Sequence, residues 1–232
     1  PRIEMCARAE EVKAAMRQKA ERELDSALQT ANAMVEIFRD LDDGQGPGSR
    51  RAEAEAMAKL TNVYIARQEP EQAKLVARDV RAIYREMDDV KGEAAAMNQV
   101  VMANLLSEDD YDEALVAAKD VVKLFRGRDR RTDVEDKKAS GDALHALAKL
   151  QLQLGLVQEA REAAREALEA YEDNGEQATV TAPAMLTLSQ AQRALKNHGE
   201  ASKMASQAIQ VCRRAGDVAG EAAAPHASAS LE

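Results

Sequence analysis

Apolar residues along this chain recur every third or fourth position and nowhere alternate strictly with polar ones. The spacing runs through Met57, Leu60, Tyr64 and Ile65, then Met97, Val101, Leu105 and Leu106. It returns in Leu144, Leu147, Leu150 and Leu154, and in Met185, Leu188 and Leu195. A stripe of that period is one face of a helix, so the pattern predicts amphipathic helices and no strands. A second pattern lies between these stripes. Segments beginning at Ala27, Ala73, Ala114, Ala160 and Ala201 each carry another alanine four residues on, at Ala31, Ala77, Ala118, Ala164 and Ala205. Seven residues later come Phe38, Tyr84, Phe125, Tyr171 and Cys212. The three positions fall on one side of a helix.

Successive segments are 46, 41, 46 and 41 residues apart. Self-similarity at such a period marks a stacked helical array. The alternating steps, with Phe and Tyr alternating at the third position, suggest a doubled unit of 87 residues. The octet from Asp89 to Ala96 returns as Asp217 to Ala224, with Gly92-Glu93 matching Gly220-Glu221. The first copy is expected to open a helix and the second to begin a sixth repeat, so the native array is expected to run further. Residues 1–48 read as a degenerate N-terminal repeat or cap. Repeats follow over about 49–90, 91–131, 132–177 and 178–218, then the start of another over 219–224 and a tail over 225–232. The closing Leu231-Glu232 has the look of a cloning remnant, and Pro1 in place of Met suggests a fragment or a processed product.

The punctuation agrees with this division. Pro70 suits a first helical turn. Asp110-x-x-Glu113, Asn197-x-x-Glu200 and Thr132-x-x-Glu135 have the spacing of capping boxes. Gly155, Asn174-Gly175 and Gly199 read as turns. The longer steps carry extra residues from Asp43 to Gly48, read as a flexible connection, and in the charged run from Arg126 to Lys138. The alanine pairs have a packing role: helices approach to roughly 8 Å only where the contact residues are small. A leucine in place of Ala160 would overpack the contact, at about 1–3 kcal/mol.

These residues together resemble the tetratricopeptide repeat family. Its large-then-small pair in the first helix corresponds to Leu60-Thr61, Val101-Met102, Leu147-Ala148 and Leu188-Ser189. The alanine opening its second helix corresponds to Ala73, Ala114, Ala160 and Ala201, and its turn glycine to Gly155 alone. There are departures. The family's aromatic residue four after that alanine is alanine here, and its closing proline is replaced by Arg85, Arg126, Glu172 and Arg213. The second helix should therefore run on. The repeat is about seven residues longer than usual, which adds two turns and keeps the packing face in register. The longer form is similar to the repeats of kinesin light chains and Pins-like regulators.

The resemblance covers roughly residues 10 to 224 and implies an all-α fold, a right-handed α-solenoid of antiparallel helix pairs. It also implies a concave wall lined by first helices, where the family binds proteins and peptides. Carried over, the lining is Asn62, Ile65, Gln99, Ala103, Leu106, His145, Lys149, Leu152, Gln190 and Arg193. Relatives that grip a chaperone's C-terminal carboxylates use Lys, Asn and Arg at places held here by Ala58, Asn62, Val100, Asp142 and Ala146. One match in five argues against that subclass.

Composition narrows the function further. Of 232 residues only 3% are aromatic and none is Trp, so the abundant apolar content is largely alanine, suited to thin helical layers. The net charge of −9 comes with no basic stripe, against nucleic acid or an anionic membrane surface as partner. No apolar run approaches bilayer length, and the start does not read as a signal peptide. Cys6 and Cys212 stand far apart without neighbours at metal spacing, which fits a reducing, cytoplasmic setting.

Chemistry is sparse. Of the three histidines, His198 falls in an expected turn, His226 in the tail, and only His145 on a helix of the array, where it lacks an orienting partner. Gly44-x-Gly46-x-Gly48 follows no strand, and Glu108-Asp109-Asp110 lacks the spacing of a calcium loop. The expectation is a non-catalytic scaffold without cofactor or metal that binds a peptide or partner protein. The alternatives are a structural subunit assembling end to end through an open C-terminal repeat, or a ligand-sensing regulator whose effector domain lies elsewhere.

Overall fold

The computed structural model describes residues 2–40, 47–107, 110–126, 134–172 and 178–217, with side chains placed for 16–40, 50–107, 110–126, 137–172 and 180–217. These residues form helices and no strands. The helices are α1 (Arg2–Asp40), α2 (Pro47–Ala66), α3 (Pro70–Glu86), α4 (Val90–Leu106), α5 (Tyr111–Arg126), α6 (Val134–Gln153), α7 (Val157–Glu172), α8 (Ala178–Ala194) and α9 (His198–Ala215). They fall into two compact units, Pro1–Asp110 with α1 to α4 and Tyr111–Glu232 with α5 to α9. Within each unit every helix packs on the next in the sequence. The first helices of neighbouring repeats also touch, α2 against α4 and α6 against α8.

The alanine pairs lie where the helices meet. Ala73, Ala77, Ala114, Ala160 and Ala164 are fully buried, Ala31, Ala118, Ala201 and Ala205 nearly so, and only Ala27 is half-buried. Along α3, α5, α7 and α9 they alternate with charged residues that face solvent, which gives these second helices one sharply apolar side. The bulkier third position closes the same face: Tyr84, Tyr171 and Cys212 are buried.

Each tyrosine ring rests against a glycine. A Cβ added to Gly92 would lie 2.2 Å from Tyr84 Cδ1, and one added to Gly141 would lie 2.6 Å from Tyr171 Cε1. The octet's glycine therefore makes room for an aromatic ring, and Asp89 caps α4 by accepting the Gly92 N–H at 3.0 Å. Two carboxylates are buried in α2 and α4. Glu53 accepts from Arg50 at 2.7 Å and from Arg39 of α1 at 3.1 Å, and Glu93 accepts from Arg81 of α3 at 3.1 Å.

One turn recurs. Gln68, Asp88, Gly155, Lys196 and Gly216 all have left-handed backbones, with φ of 62, 58, 75, 62 and 71°. In each case the next N–H reaches back six residues to a helix carbonyl: Glu69 to Tyr64, Asp89 to Tyr84, Leu156 to Gln151, Asn197 to Gln192 and Asp217 to Cys212, at 2.8–3.0 Å. This is the Schellman closure of a helix end. A Cβ at Gly155 would meet nothing within 4 Å, so that glycine serves conformation and not space. Non-glycine residues at φ near 60° are strained. Lys196→Gly should raise stability by about 0.5–1 kcal/mol and Gly155→Ala should lower it by about as much, both measured by urea denaturation.

Some sequence expectations need correction. Gly199 and His198 lie in the first turn of α9, not in a loop. Asn197 precedes α9 but its side chain makes no capping bond; it donates to Gln192 Oε1 at 2.9 Å. The Asp110 carboxylate is taken by Lys74 of α3, which also reaches Glu71 and Ser107. Burial pulls the Lys74 ammonium down, but the Asp110 and Glu71 carboxylates outweigh it and hold it above its ordinary value. Pro47 and Gly48, assigned to a connection, begin α2. The segment around Ala27 is the C-terminal part of one 39-residue helix, with no turn before it. Asp43 to Gly46, Thr132, Asn174-Gly175 and the second octet beyond Asp217 lie outside the described residues.

Candidate functional site

The residues expected to line a binding wall sit on α2 and α4 in the first unit and on α6 and α8 in the second. In the first unit Asn62 is exposed, and Ile65, Gln99 and Leu106 are half-buried. Asn62 and Gln99 are brought together across 37 residues of sequence. Gln99 Nε2 donates to Asn62 Oδ1 at 2.9 Å and to the Ala58 carbonyl at 2.8 Å. Its own Oε1 is buried and has no partner among the described residues.

Ala103 does not share this surface. Its side chain is 0% exposed, packed inside, so its methyl cannot meet a partner. The residue that stands at this level of α4 is Met102, 51% exposed. The sequence held a signal for it. Glu53-Ala54-Glu55-Ala56-Met57 returns as Glu93-Ala94-Ala95-Ala96-Met97, a step of 40 residues. That step pairs Asn62 with Met102 and Leu60-Thr61 with Val100-Val101, one residue earlier than the 41-residue step of the second helices. The difference is absorbed between α4 and α5, where the chain leaves the helix at Ser107 in an extended conformation.

In the second unit Lys149 and Gln190 are exposed, and His145, Leu152 and Arg193 are half-buried. His145 has a partner that the sequence did not suggest: its Nε2 lies 3.0 Å from Thr187 Oγ1 on α8. The Thr187 hydroxyl donates to the Pro183 carbonyl at 3.1 Å, so it accepts from His145, which places the imidazole proton on Nε2. Gln99 and His145 thus do the same work in their own units: each ties neighbouring first helices together through a side chain.

Burial lowers the His145 pKa below its ordinary 6.5 and the Lys149 ammonium lowers it further; Asp142 and the Pro183 carbonyl oppose them. The folded protein therefore holds this imidazole neutral more firmly than the unfolded chain does. As pH falls through about 6.5 the unfolded chain binds the proton first, and the stability present above that pH is lost. The thermal midpoint should drop more between pH 7.5 and pH 5.5 in the native protein than in His145→Gln, by scanning calorimetry.

Asp142, beside His145, accepts the Tyr171 hydroxyl at 2.7 Å. Among the described residues no group of three or more His, Cys, Asp or Glu side chains is placed to hold a metal ion. None of their helices is long and apolar enough to cross a membrane.

Residues 140–214, from α6 through most of α9, match the tetratricopeptide repeat family. No curated protein matches the sequence. Solved structures do. The apo form of RapI is 15% identical with a TM-score of 0.68, over 84% of this chain and 50% of that one. The kinesin light chain TPR-like repeats from Podosopora anserina are 17% identical with a TM-score of 0.63, over 88% and 93%. A Rap protein complexed with Competence and Sporulation Factor is 13% identical with a TM-score of 0.60, over 90% and 60%. The chain spans half the length of RapI. The fold is that of tetratricopeptide repeat proteins, and the repeat-bearing part is recognisable in sequence from residue 140.

Proposed function

We propose that this tetratricopeptide fold holds a peptide or partner protein on the faces of its first helices, and that it does so without catalysing a reaction. The observation that carries the reading is the make-up of those faces. They combine exposed polar side chains, Asn62, Lys149 and Gln190, with half-buried apolar ones, Ile65 and Leu152. Groups of both kinds side by side suit an extended segment, whose backbone needs hydrogen bonds and whose side chains need apolar contact. The cross-links at Gln99 and His145 support it, since they hold adjacent first helices in fixed register before any partner arrives. That one Rap protein of this fold is seen in complex with a factor agrees with such a use.

The test is a peptide array probed with the purified chain and with the double variant Asn62→Ala, Lys149→Ala. The native chain should bind a subset of peptides saturably, and the variant, with an unchanged helical spectrum, should lose them. Saturable binding to none of the peptides would sink the reading. A second reading, a sensing segment of a longer regulator, is favoured by the match to half of RapI. It predicts that a bound peptide raises the melting temperature of the isolated chain.

A further inference from the structure

We infer that the α2–α4 face of the first unit takes an uncharged, apolar segment of polypeptide, which it grips by the backbone at Asn62 and Gln99. The inference deepens the peptide-holding reading and rests on it.

Three observations carry it. The first is charge. The chain has 73 acidic and basic residues, yet residues 60–66 and 94–106 contain none. The nearest one, Glu93, is buried and already paired with Arg81. A charged side chain docked on this face would give up water with no opposite charge to meet it. The net charge of −9 further disfavours an acidic partner. The second unit differs at this point, because its α6 carries the exposed Lys149.

The second observation is apolar exposure. Met102 is among the large apolar side chains most exposed in the first unit, and Ile65 and Leu105 stand half-exposed on α2 and α4. A methionine bends to fit apolar side chains of differing shape.

The third is an unmet acceptor. Gln99 donates twice, to Asn62 and Ala58, and its buried Oε1 receives nothing among the described residues. An acceptor in that state is costly to leave alone. A small rotation of the amide would offer it to a peptide N–H, while Asn62, exposed beside it, offers N–H groups to a peptide carbonyl. Donor and acceptor side by side match one peptide unit of an extended chain, and they read backbone, not side-chain charge.

The experiment uses the full chain and three fluorescein-labelled, end-blocked nonapeptides, alternating leucine with serine, with glutamate or with lysine. Anisotropy is measured at about 0.1 M and about 0.5 M salt. The leucine–serine peptide should bind best, with affinity changed less than about twofold by salt. Met102→Glu should weaken it about tenfold or more, Met102→Leu should keep it, and Lys149→Ala should leave it unchanged. Each variant's melting temperature is checked alongside; were Met102→Glu to unfold the unit, Met102→Gln replaces it and should still weaken binding severalfold. Tighter, salt-sensitive binding of the glutamate or lysine peptide would overturn the inference and leave the peptide-holding reading intact. So would equal losses in the Lys149 and Met102 variants. Saturable binding of none of the three, together with an empty peptide array, would overturn both.

Discussion

Tyr171→Ala should be the most damaging single substitution in the second unit, lowering stability by about 3–5 kcal/mol. Tyr171 is the largest fully buried side chain, 1% exposed in a unit whose helix contacts are otherwise mostly alanine. Small neighbours have little side chain with which to fill the space it would leave, so the hole persists and its lining loses contacts outright. Tyr171→Phe separates the ring from the hydroxyl. It removes only the bond to Asp142, at 2.7 Å and partly buried, and should cost about 1 kcal/mol. Thermal unfolding followed by circular dichroism would read the alanine variant as a drop of roughly 10 °C or more. Equal effects from alanine and phenylalanine would show that the hydroxyl, not the packed ring, is what matters.

Gly92→Ala is the second large effect, and its sign depends on a contest. Alanine is the better helix former by about 1 kcal/mol in a helix interior. Against that gain, its Cβ would stand 2.2 Å from the Tyr84 ring, near the root of a buried side chain that cannot simply swing away. Overpacking of this kind costs about 1–3 kcal/mol, so the variant should be net destabilised. In a Tyr84→Ala background the obstruction is gone, and the same change at Gly92 should become neutral or favourable. A double-mutant cycle by urea denaturation measures the coupling directly. Additive effects would mean that ring and glycine do not press on one another.

The helix pairs could be read from the sequence because their contacts are small residues in fixed register, and nine of the ten paired alanines are buried. A coincidence repeated five times at one spacing has few explanations other than close approach. Turn chemistry was harder to see. Only Gly155 announced the left-handed turn, while Gln68, Asp88 and Lys196 adopt the same backbone without the residue type that signals it. Main-chain bonds close the turn, so side-chain identity carries little trace of it. The capping spacing at Asn197 misled for a related reason, since its amide found Gln192 first.

The candidate face was legible as a set of helix positions and blurred in one place. The first helices of the second described repeat run one residue ahead of the second helices, and a register taken from the alanines alone lands on Ala103 in place of Met102. The Glu-Ala-x-Ala-Met echo would have corrected it. No periodicity could show which polar residues bind one another. Gln99 with Asn62 and His145 with Thr187 are 37 and 42 residues apart, and their pairing depends on how two helices cross.

The recurring left-handed turn bears on how such a chain tolerates change over generations. Because the bend is secured by amide-to-carbonyl bonds, Gln68, Asp88 and Lys196 are open to substitution by many residue types, each altering only how comfortably the backbone sits. Drift should therefore gather at these corners while the alanine seams beside them stay fixed. Two such arrays could come to share almost no letters and still superimpose.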